Sequence, residues 1–253
     1  MSYSATFYFH ASLNDFIARS TKHTWITYRF NNIPAVKDAI EAIGIPHPEV
    51  NVVLINNKPV NIFHPLRADD KVEVYPFDAN QNWQPGYSLK ERYSYTNTFV
   101  LDVHLGKLAK ALRMLGFDTA YENNYADETI VDLADAEKRI VLTRDTGLLK
   151  HKLVEQGYWL RSQQVNAQLA EVIVRFELAG KFKPFTRCMA CNGMIEAVAK
   201  SAVSNVIPEN TATFFNEFWQ CANCKRVYWK GSHHEKMEKM ISKLVKDISS
   251  IDQ

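Results

Sequence analysis

The chain has 253 residues and a mass of 29.1 kDa, which is long enough for one large domain or two to three small ones. Hydrophobic residues make up 46% and charged residues 23%, a globular balance that excludes intrinsic disorder and collagen-like repeats. A formal net charge of +2, from 30 Lys and Arg against 28 Asp and Glu, excludes a strongly basic protein that wraps nucleic acid.

The N-terminal stretch lacks the basic start of a signal peptide, and His10, Asn14 and Asp15 interrupt its apolar run. No stretch reaches the ~18–20 apolar residues that span a bilayer. Four cysteines are too few for a disulfide scaffold in a chain of this length. We therefore expect a soluble, cytoplasmic protein with no membrane partner.

The first 80 residues alternate between polar and apolar positions, as strands do. Runs rich in aromatic and β-branched residues predict strands over 5–10, 24–30, 52–55 and 71–75. Apolar residues at helical spacing predict one helix over 34–43, which Gly44 ends. Two strands, a helix and two further strands are typical of a ubiquitin-like β-grasp domain, which we place at residues 1–80.

The chain changes its pattern beyond this domain. Pro85, Gly86 and a scarcity of aliphatic residues predict a linker over 81–97. Further on, strands are predicted over 98–101, 119–121, 139–143 and 157–160, and helices over 105–115, 128–138, 146–156 and 165–176. Strands that alternate with helices indicate βαβ units, so the predicted class of residues 98–180 is α/β, with a mostly parallel sheet and flanking helices.

Acidic residues follow two of these predicted strands. Asp102 comes directly after the strand over 98–101, and Asp145 follows the strand over 139–143. Ligands of parallel sheets bind beyond the carboxyl ends of the strands, and Asp127 and Glu128 open a helix in a loop expected at the same crevice. Gathered carboxylates need a cation, and their hard oxygen atoms suit Mg²⁺ or Mn²⁺. The alternative is that Asp127 and Asp145 are helix N-caps.

Basic residues accompany the acidic set. Lys107 and Arg113 lie on the polar face of the helix over 105–115, and Arg144 directly precedes Asp145. Such side chains can hold phosphate groups close to the carboxylates. An ordinary solvated helix face is the alternative interpretation.

The four cysteines form two C-x2-C pairs, Cys188 with Cys191 and Cys221 with Cys224. Two such pairs supply four thiolates to a tetrahedral Zn²⁺, and a closed site of this kind is structural. A redox motif or unrelated buried cysteines would not explain the duplicated spacing. We therefore predict a zinc ribbon and a C-terminal basic helix within 181–253, where 11 Lys and Arg outnumber 7 Asp and Glu by +4.

Basic and aromatic residues alternate after the second pair. Lys225 and Arg226 precede Tyr228 and Trp229, and His233 follows. Cations that contact the phosphate backbone and rings that stack on bases are typical of proteins that bind single-stranded nucleic acid. The alternative is that the two aromatic residues form the small core of the ribbon.

Several ordered stretches resemble one known family, the C-terminal RNase domain of the Mut-seven exonuclease proteins. That domain is a PIN-like nuclease core with an attached zinc ribbon. The matching stretches are FVLD at 99–102, LGKLAKALRMLGFD at 105–118, ADE at 126–128, IVLTRD at 140–145, the two C-x2-C pairs and YWKGSH at 228–233. Residues 1–80 resemble the ubiquitin-like, sulfur-carrier-like domain that often precedes this nuclease.

The resemblance implies metal-dependent cleavage of single-stranded RNA, with Asp102, Asp127 and Asp145 as the catalytic carboxylates and Glu128 as a neighbouring candidate. Such nucleases usually carry a fourth acidic or amide group downstream of Asp145. No carboxylate occurs here at 162–164, so a ligand expected for a second metal is missing. The β-grasp domain lacks the Gly-Gly end of sulfur carriers, which favours docking of a protein partner. The alternatives are a non-catalytic RNA-binding protein and a protein-interaction adaptor.

Overall fold

The computed structural model of the chain describes residues 2–78, 80–89 and 97–249, with side chains up to residue 246. These residues form two compact units. The first contains the described residues up to 89 together with Asp127–Trp159, and the second contains Asn97–Ala126 and residues 160–249. No helix in these ranges is long and apolar enough to cross a membrane.

Residues 2–78 of the first unit form the predicted β-grasp sheet. Its elements are β1 (Tyr3–Phe9), β2 (Ile26–Phe30), α1 (Val36–Ile43), β3 (Val50–Ile55), β4 (Lys58–Pro59) and β5 (Lys71–Pro76). The strand order is β2-β1-β5-β3-β4, with β1 parallel to β5 and the other neighbours antiparallel. The two-residue β4 was not predicted from the sequence. It follows a tight turn in which Asn56 and Asn57 take positive φ angles of 50° and 65°.

The core of this sheet lies on the face that α1 covers. Alternate residues of β1 are buried, among them Phe7 and Phe9, and they share one apolar cluster with Ile40 of α1. The helix ends at Gly44, whose φ angle of 135° is easily adopted only by glycine. The period-two pattern of β1 and the helical spacing of α1 therefore meet in one core, as predicted.

The described part of the predicted linker packs on the β-grasp sheet. Leu89 belongs to its apolar cluster, and the ring of Trp83 lies 4.9 Å from the ring of Tyr75. The Ser88 hydroxyl donates to the Asn51 side-chain oxygen at 2.6 Å. Although residues 80–89 contain few aliphatic residues, these three contacts attach them to the β-grasp sheet. The remaining predicted linker residues, 90–96, lie outside the described residues, as does residue 79.

Residues 97–126 open the second unit. They contain β6 (Phe99–Leu101), α2 (Gly106–Met114) and β7 (Thr119–Ala120). The two strands pair in parallel, with Phe99 opposite Thr119. α2 is followed by Gly116, which has a φ angle of 94° and packs so closely on the Lys183 carbonyl that no Cβ fits there. The end of α2 is thus held against the later part of the same unit.

Residues 127–159 belong to the first unit. They form α3 (Asp127–Glu137), β8 (Ile140–Thr143), α4 (Thr146–Leu149) and β9 (Gly157–Trp159), and β8 pairs with β9 in parallel. The parallel strand pairs and flanking helices confirm the predicted α/β class. The helix predicted over 146–156 is wrong in length, because α4 stops at Leu149. Tight turns replace it, with His151 N–H bonded to the Leu148 carbonyl, and they bury Val154 completely.

The β-grasp sheet contacts this segment within the first unit. The backbone N–H of Trp159 donates to the buried carboxylate of Glu49 at 2.6 Å. The Lys150 ammonium donates to the Glu41 carbonyl at 3.2 Å. These polar contacts join elements that are about 110 residues apart in the chain.

The rest of the second unit contains the cysteines. Its elements are α5 (Val165–Arg175), β10 (Ile195–Val198), α6 (Lys200–Val203), α7 (Glu209–Phe214), β11 (Phe218–Cys221), β12 (Val227–Tyr228) and α8 (Ser232–Ser249). The last three strands form an antiparallel sheet in the order β10-β11-β12. Phe218 and Val203 lie at the centre of its small core, whereas Phe214 is 79% exposed. α8 is longer than the helix predicted over 235–246.

Candidate functional site

Both cysteine pairs lie in the same kind of backbone turn. The Cys188 carbonyl accepts from the N–H of Asn192 at 2.8 Å, and the Cys221 carbonyl accepts from the N–H of Lys225 at 3.1 Å. Asn192 and Lys225 each follow a pair directly and take positive φ angles of 68° and 59°. The repeated spacing in the sequence is therefore a repeated turn in space.

These two turns bring four sulfur atoms together. The Sγ atoms of all four cysteines lie within 4.8 Å of one another. Cys188 and Cys224 are 3.6 Å apart, and Cys191 and Cys221 are 3.4 Å apart. A tetrahedral zinc with Zn–S bonds of about 2.3 Å requires sulfur atoms about 3.8 Å apart. The four thiols therefore fit a structural Zn²⁺, as the sequence predicts.

Hydrogen bonds and burial act in opposite directions on these thiols. Burial raises the pKa of Cys188, but hydrogen bonds from the Tyr228 hydroxyl and from backbone N–H groups outweigh it and lower this pKa to about 6. Burial also raises the pKa of Cys221 and of Cys224. Four neighbouring thiolates therefore need a cation to offset their desolvation and mutual repulsion. Tyr228, predicted to contact RNA, has its hydroxyl 3.0 Å from the Cys188 sulfur.

Arg113 connects α2 to the first cysteine turn. It is only 3% exposed, and burial lowers the pKa of its guanidinium. Its N–H groups donate to the backbone carbonyls of Thr119 (2.9 Å), Ala190 (3.0 Å), Tyr121 (3.2 Å) and Met189 (3.4 Å). The structure thus gives Arg113 a structural contact in place of the predicted phosphate contact, because its donors face protein carbonyls.

Asp102 lies in the second unit, directly after β6. It is 9% exposed, and its Oδ1 accepts from the backbone N–H of His104 at 3.3 Å, which caps a 3-10 turn over Val103–Leu105. Lys107 is exposed on the first turn of α2. The position after a parallel strand is the one that the sequence predicts for Asp102.

The other predicted carboxylates lie in the first unit. Asp145 caps α4, because its Oδ1 accepts from the N–H of Gly147 at 2.7 Å. Its own N–H donates to the hydroxyl of fully buried Thr143 at 2.8 Å, and no described residue donates to its Oδ2. Asp145 is exposed, and so are Asp127 and Glu128 in the first turn of α3. The predicted capping alternative is therefore correct for Asp145, and the cap leaves one carboxylate oxygen open.

Two protein-family models match this chain. The model of the Mut7-C RNAse domain matches residues 97–241, and the model of the Mut7-C ubiquitin domain matches residues 2–82. The chain belongs to the Mut7-C RNAse domain family. Searches of curated proteins and of solved structures give no match. The predicted resemblance is thereby confirmed, and membership of the Mut7-C family suggests a nuclease role.

The Mut7-C match includes the residues predicted to contact RNA. Arg226 and His233 in the ribbon are exposed, as is Arg144 beside Asp145. The Lys225 ammonium donates to a backbone carbonyl of its own turn at 2.7 Å. Trp229 is partly buried against the small core of the antiparallel sheet, so the core alternative is correct for part of this side chain.

Glu171 is a carboxylate whose contacts were not predicted from the sequence. No acidic residue occurs at 162–164, but both oxygens of Glu171 accept backbone N–H groups there, from Arg161 and Ser162 at 2.9 Å each. The amide of Gln168, one turn earlier on α5, donates to the Ser162 carbonyl at 2.9 Å. The signal in the sequence was the pair Gln168 and Glu171, spaced i, i+3 among the mostly apolar residues of α5.

Proposed function

We propose that this protein is a metal-dependent ribonuclease that hydrolyses phosphodiester bonds of single-stranded RNA. The main support is the Mut7-C RNAse domain match over residues 97–241. Further support comes from Asp102 and Asp145, which each follow a strand of a parallel pair at its carboxyl end. Ligands of parallel sheets bind beyond this end of the strands.

Asp102, Asp127 and Asp145 would hold the Mg²⁺ or Mn²⁺, with Glu128 as a neighbouring candidate. Their carboxylate oxygens are the hard donors that these ions prefer. A cation held there would supply a water of lowered pKa and would neutralise charge on the leaving oxygen. The Thr143 hydroxyl holds the backbone N–H of Asp145, and the Gly147 N–H holds its Oδ1, which leaves Oδ2 as the oxygen that would bind the metal.

Cations of this chain would hold the RNA. Lys107 and Arg144 are exposed and lie within five residues of Asp102 and Asp145, where they can pair with phosphates. Lys225, Arg226 and His233 would contact the strand at the ribbon, together with Tyr228 and Trp229. The local charge of +4 over 181–253 favours this end of the chain for the RNA backbone.

Cleavage of end-labelled single-stranded RNA tests the proposal. The wild type and Asp102→Asn are compared with Mn²⁺ and with a mild chelator that leaves the ribbon zinc bound. Asparagine keeps the cap on His104 but removes the charge, so the variant should fold normally and lose cleavage. Asp132→Asn, on the exposed side of α3, is the matched control and should cut like the wild type.

The result also separates the alternatives. Equal cleavage by Asp102→Asn would refute the assignment of this carboxylate. Intact RNA in every lane, with zinc-loaded protein that still binds RNA, would replace the nuclease by a non-catalytic RNA-binding protein. Neither cleavage nor RNA binding would favour an adaptor.

The β-grasp domain is proposed to dock a protein partner. Ile33 is 68% exposed and Phe63 is 65% exposed, although most apolar side chains of this domain are buried. Their loops are joined by backbone hydrogen bonds from Val36 to His64 and from Leu66 to Pro34. Exposed apolar side chains that adjoining loops bring to one region are candidates for a face that a protein partner covers. The variant Ile33→Ser with Phe63→Ser should weaken a complex without lowering the melting temperature.

A further inference from the structure

A groove of about 600 Å³ lies beside the zinc ribbon within the second unit. Its walls come from residues 184–187, from β12 with the residues that follow it, and from the first turns of α8. None of the proposed catalytic carboxylates lines it. The groove is therefore a separate feature of the molecule, which the sequence analysis did not predict.

Aromatic rings form much of the groove wall. They belong to Phe185, Trp219, Tyr228 and Trp229. Phe185 takes a φ angle of 61°, which is unusual for a bulky residue, and its ring centroid lies 4.3 Å from that of His234. Flat rings along a narrow groove are suited to a flat ligand that stacks on them.

Polar groups of the groove are matched to a ligand with acceptor atoms. No described residue accepts from the indole N–H of Trp219 or of Trp229, and both side chains line the groove. A purely apolar ligand, such as an aliphatic peptide side chain, would leave both donors unpaired at a cost. A nucleobase offers ring nitrogen and carbonyl acceptors in its own plane.

Two cationic side chains line the groove, and each also pairs with a carboxylate: Arg187 with Asp118 at 3.0 Å and Lys230 with Glu217 at 3.2 Å. Lys230 and His233 line it, and the Lys230 ammonium lies 5.1 Å above the Trp219 ring. The carboxylate of Glu238 also lines the groove, but it lies 3.5 Å from the imidazole of His234. The first turn of α8 adds the positive end of its dipole. This charge complements a phosphate attached to a stacked base.

We propose that this groove binds one nucleobase of a single-stranded RNA by stacking, with the neighbouring phosphate at its cationic rim. The inference rests on the proposed function, because its ligand is the RNA strand that the carboxylates would cut. It assigns contacts to Phe185, Trp219 and His234, which lie outside the predicted RNA-binding set. RNA held here would be positioned by the ribbon rather than by the carboxylates.

Binding without cleavage tests this directly. Full-length, zinc-loaded Asp102→Asn protein is titrated into a fluorescent 12-nucleotide oligouridine without Mg²⁺ or Mn²⁺, and anisotropy is recorded at one salt concentration. Adding Phe185→Leu keeps an apolar side chain but removes the ring, and should weaken binding about 5- to 20-fold. Adding Phe182→Leu is the matched control, since that ring packs on Phe117 and lies outside the groove. Equal affinities of the two variants would overturn the proposal.

A second measurement uses the native groove and does not depend on how Phe185→Leu folds. An oligouridine carrying one 4-thiouridine is crosslinked to the protein, and the modified peptides are identified by mass spectrometry. We expect adducts within 184–187 or 227–234, and adducts confined to other segments would overturn the proposal. A loss of affinity in Phe185→Leu without any metal-dependent cleavage would remove the nuclease and keep the groove. Metal-dependent cleavage by the wild type, combined with an RNA affinity that Phe185→Leu leaves unchanged, would keep the nuclease and remove the groove as a binding site.

Discussion

Replacing Arg113 by methionine should loosen the first cysteine turn from α2. The bond to the buried Thr119 carbonyl alone is worth about 1.5–3 kcal/mol, as hydrogen bonds to charged groups are. The acceptors at Tyr121, Met189 and Ala190 are partly accessible, so water can replace much of what those bonds contribute. Removal of a buried charge offsets part of the loss. We expect Arg113→Met to lower the free energy of unfolding by about 2–4 kcal/mol.

Urea unfolding of the zinc-loaded protein measures this change, and transfer of zinc to a chromogenic chelator reports on the cysteine turn. Arg113→Met should release zinc faster than the wild type. Lys110→Met, an exposed change on the same helix, should shift stability by no more than about 0.5 kcal/mol. Normal stability and normal zinc retention, combined with weaker RNA binding, would refute the structural role and restore the predicted phosphate contact.

Three further predictions concern packing, orientation and pH. Gly116→Ala should destabilise the protein by about 2 kcal/mol or more beyond Gly180→Ala in urea unfolding, because both have positive φ angles but only at Gly116 would a Cβ overlap a backbone carbonyl. Thr143→Val removes the acceptor of the Asp145 backbone N–H and should slow RNA cleavage about tenfold by shifting Asp145, while Thr143→Ser keeps the acceptor and should cut like the wild type; equal rates for the two variants would exclude a positioning role. Burial, helped by the nearby Lys37 charge, lowers the pKa of His47 from 6.5. The neutral His47 side chain therefore contributes fully to stability above pH 6.5, and this contribution is lost as the pH falls through the lowered pKa of the folded state. His47→Gln should therefore reduce the change in the urea midpoint between pH 7 and pH 5. A midpoint that changes with pH as much as in the wild type would contradict this.

The order of strands and helices was largely readable from the chain, because it depends on local spacing. The β-grasp strands and α1 occur where period-two and helical patterns place them, with ends that differ by one or two residues. α4 is the clear error. Its apolar spacing continues past Leu149, but the backbone turns so that Val154 is buried in the first unit. A helical pattern specifies which residues could share a face, whereas the end of the helix depends on what that face packs against.

The residues of the candidate sites were likewise predictable where their positions depend on local sequence. The four clustered cysteines were predictable residue by residue, because each C-x2-C pair forms a local turn and its spacing is visible in the sequence. The sequence also placed Asp102 and Asp145 after strands, since a strand and the residue that follows it are neighbours in the chain. Their individual catalytic roles stay predictions that Asp102→Asn tests.

Short-range patterns in the amino-acid sequence were sufficient to indicate the family, the elements of the β-grasp and α/β regions, and the pairing of the four cysteines. The burial of Arg113 depends on packing over a long range, since its guanidinium meets carbonyls 76 and 77 residues away. The same long-range packing brings Glu171 to the loop after β9 and places Phe185 and Trp229 in the lining of one groove. The burial and the hydrogen-bond partners of a side chain depend on segments far apart in the chain. The sequence around a charged or aromatic residue therefore does not show whether that residue faces solvent or protein.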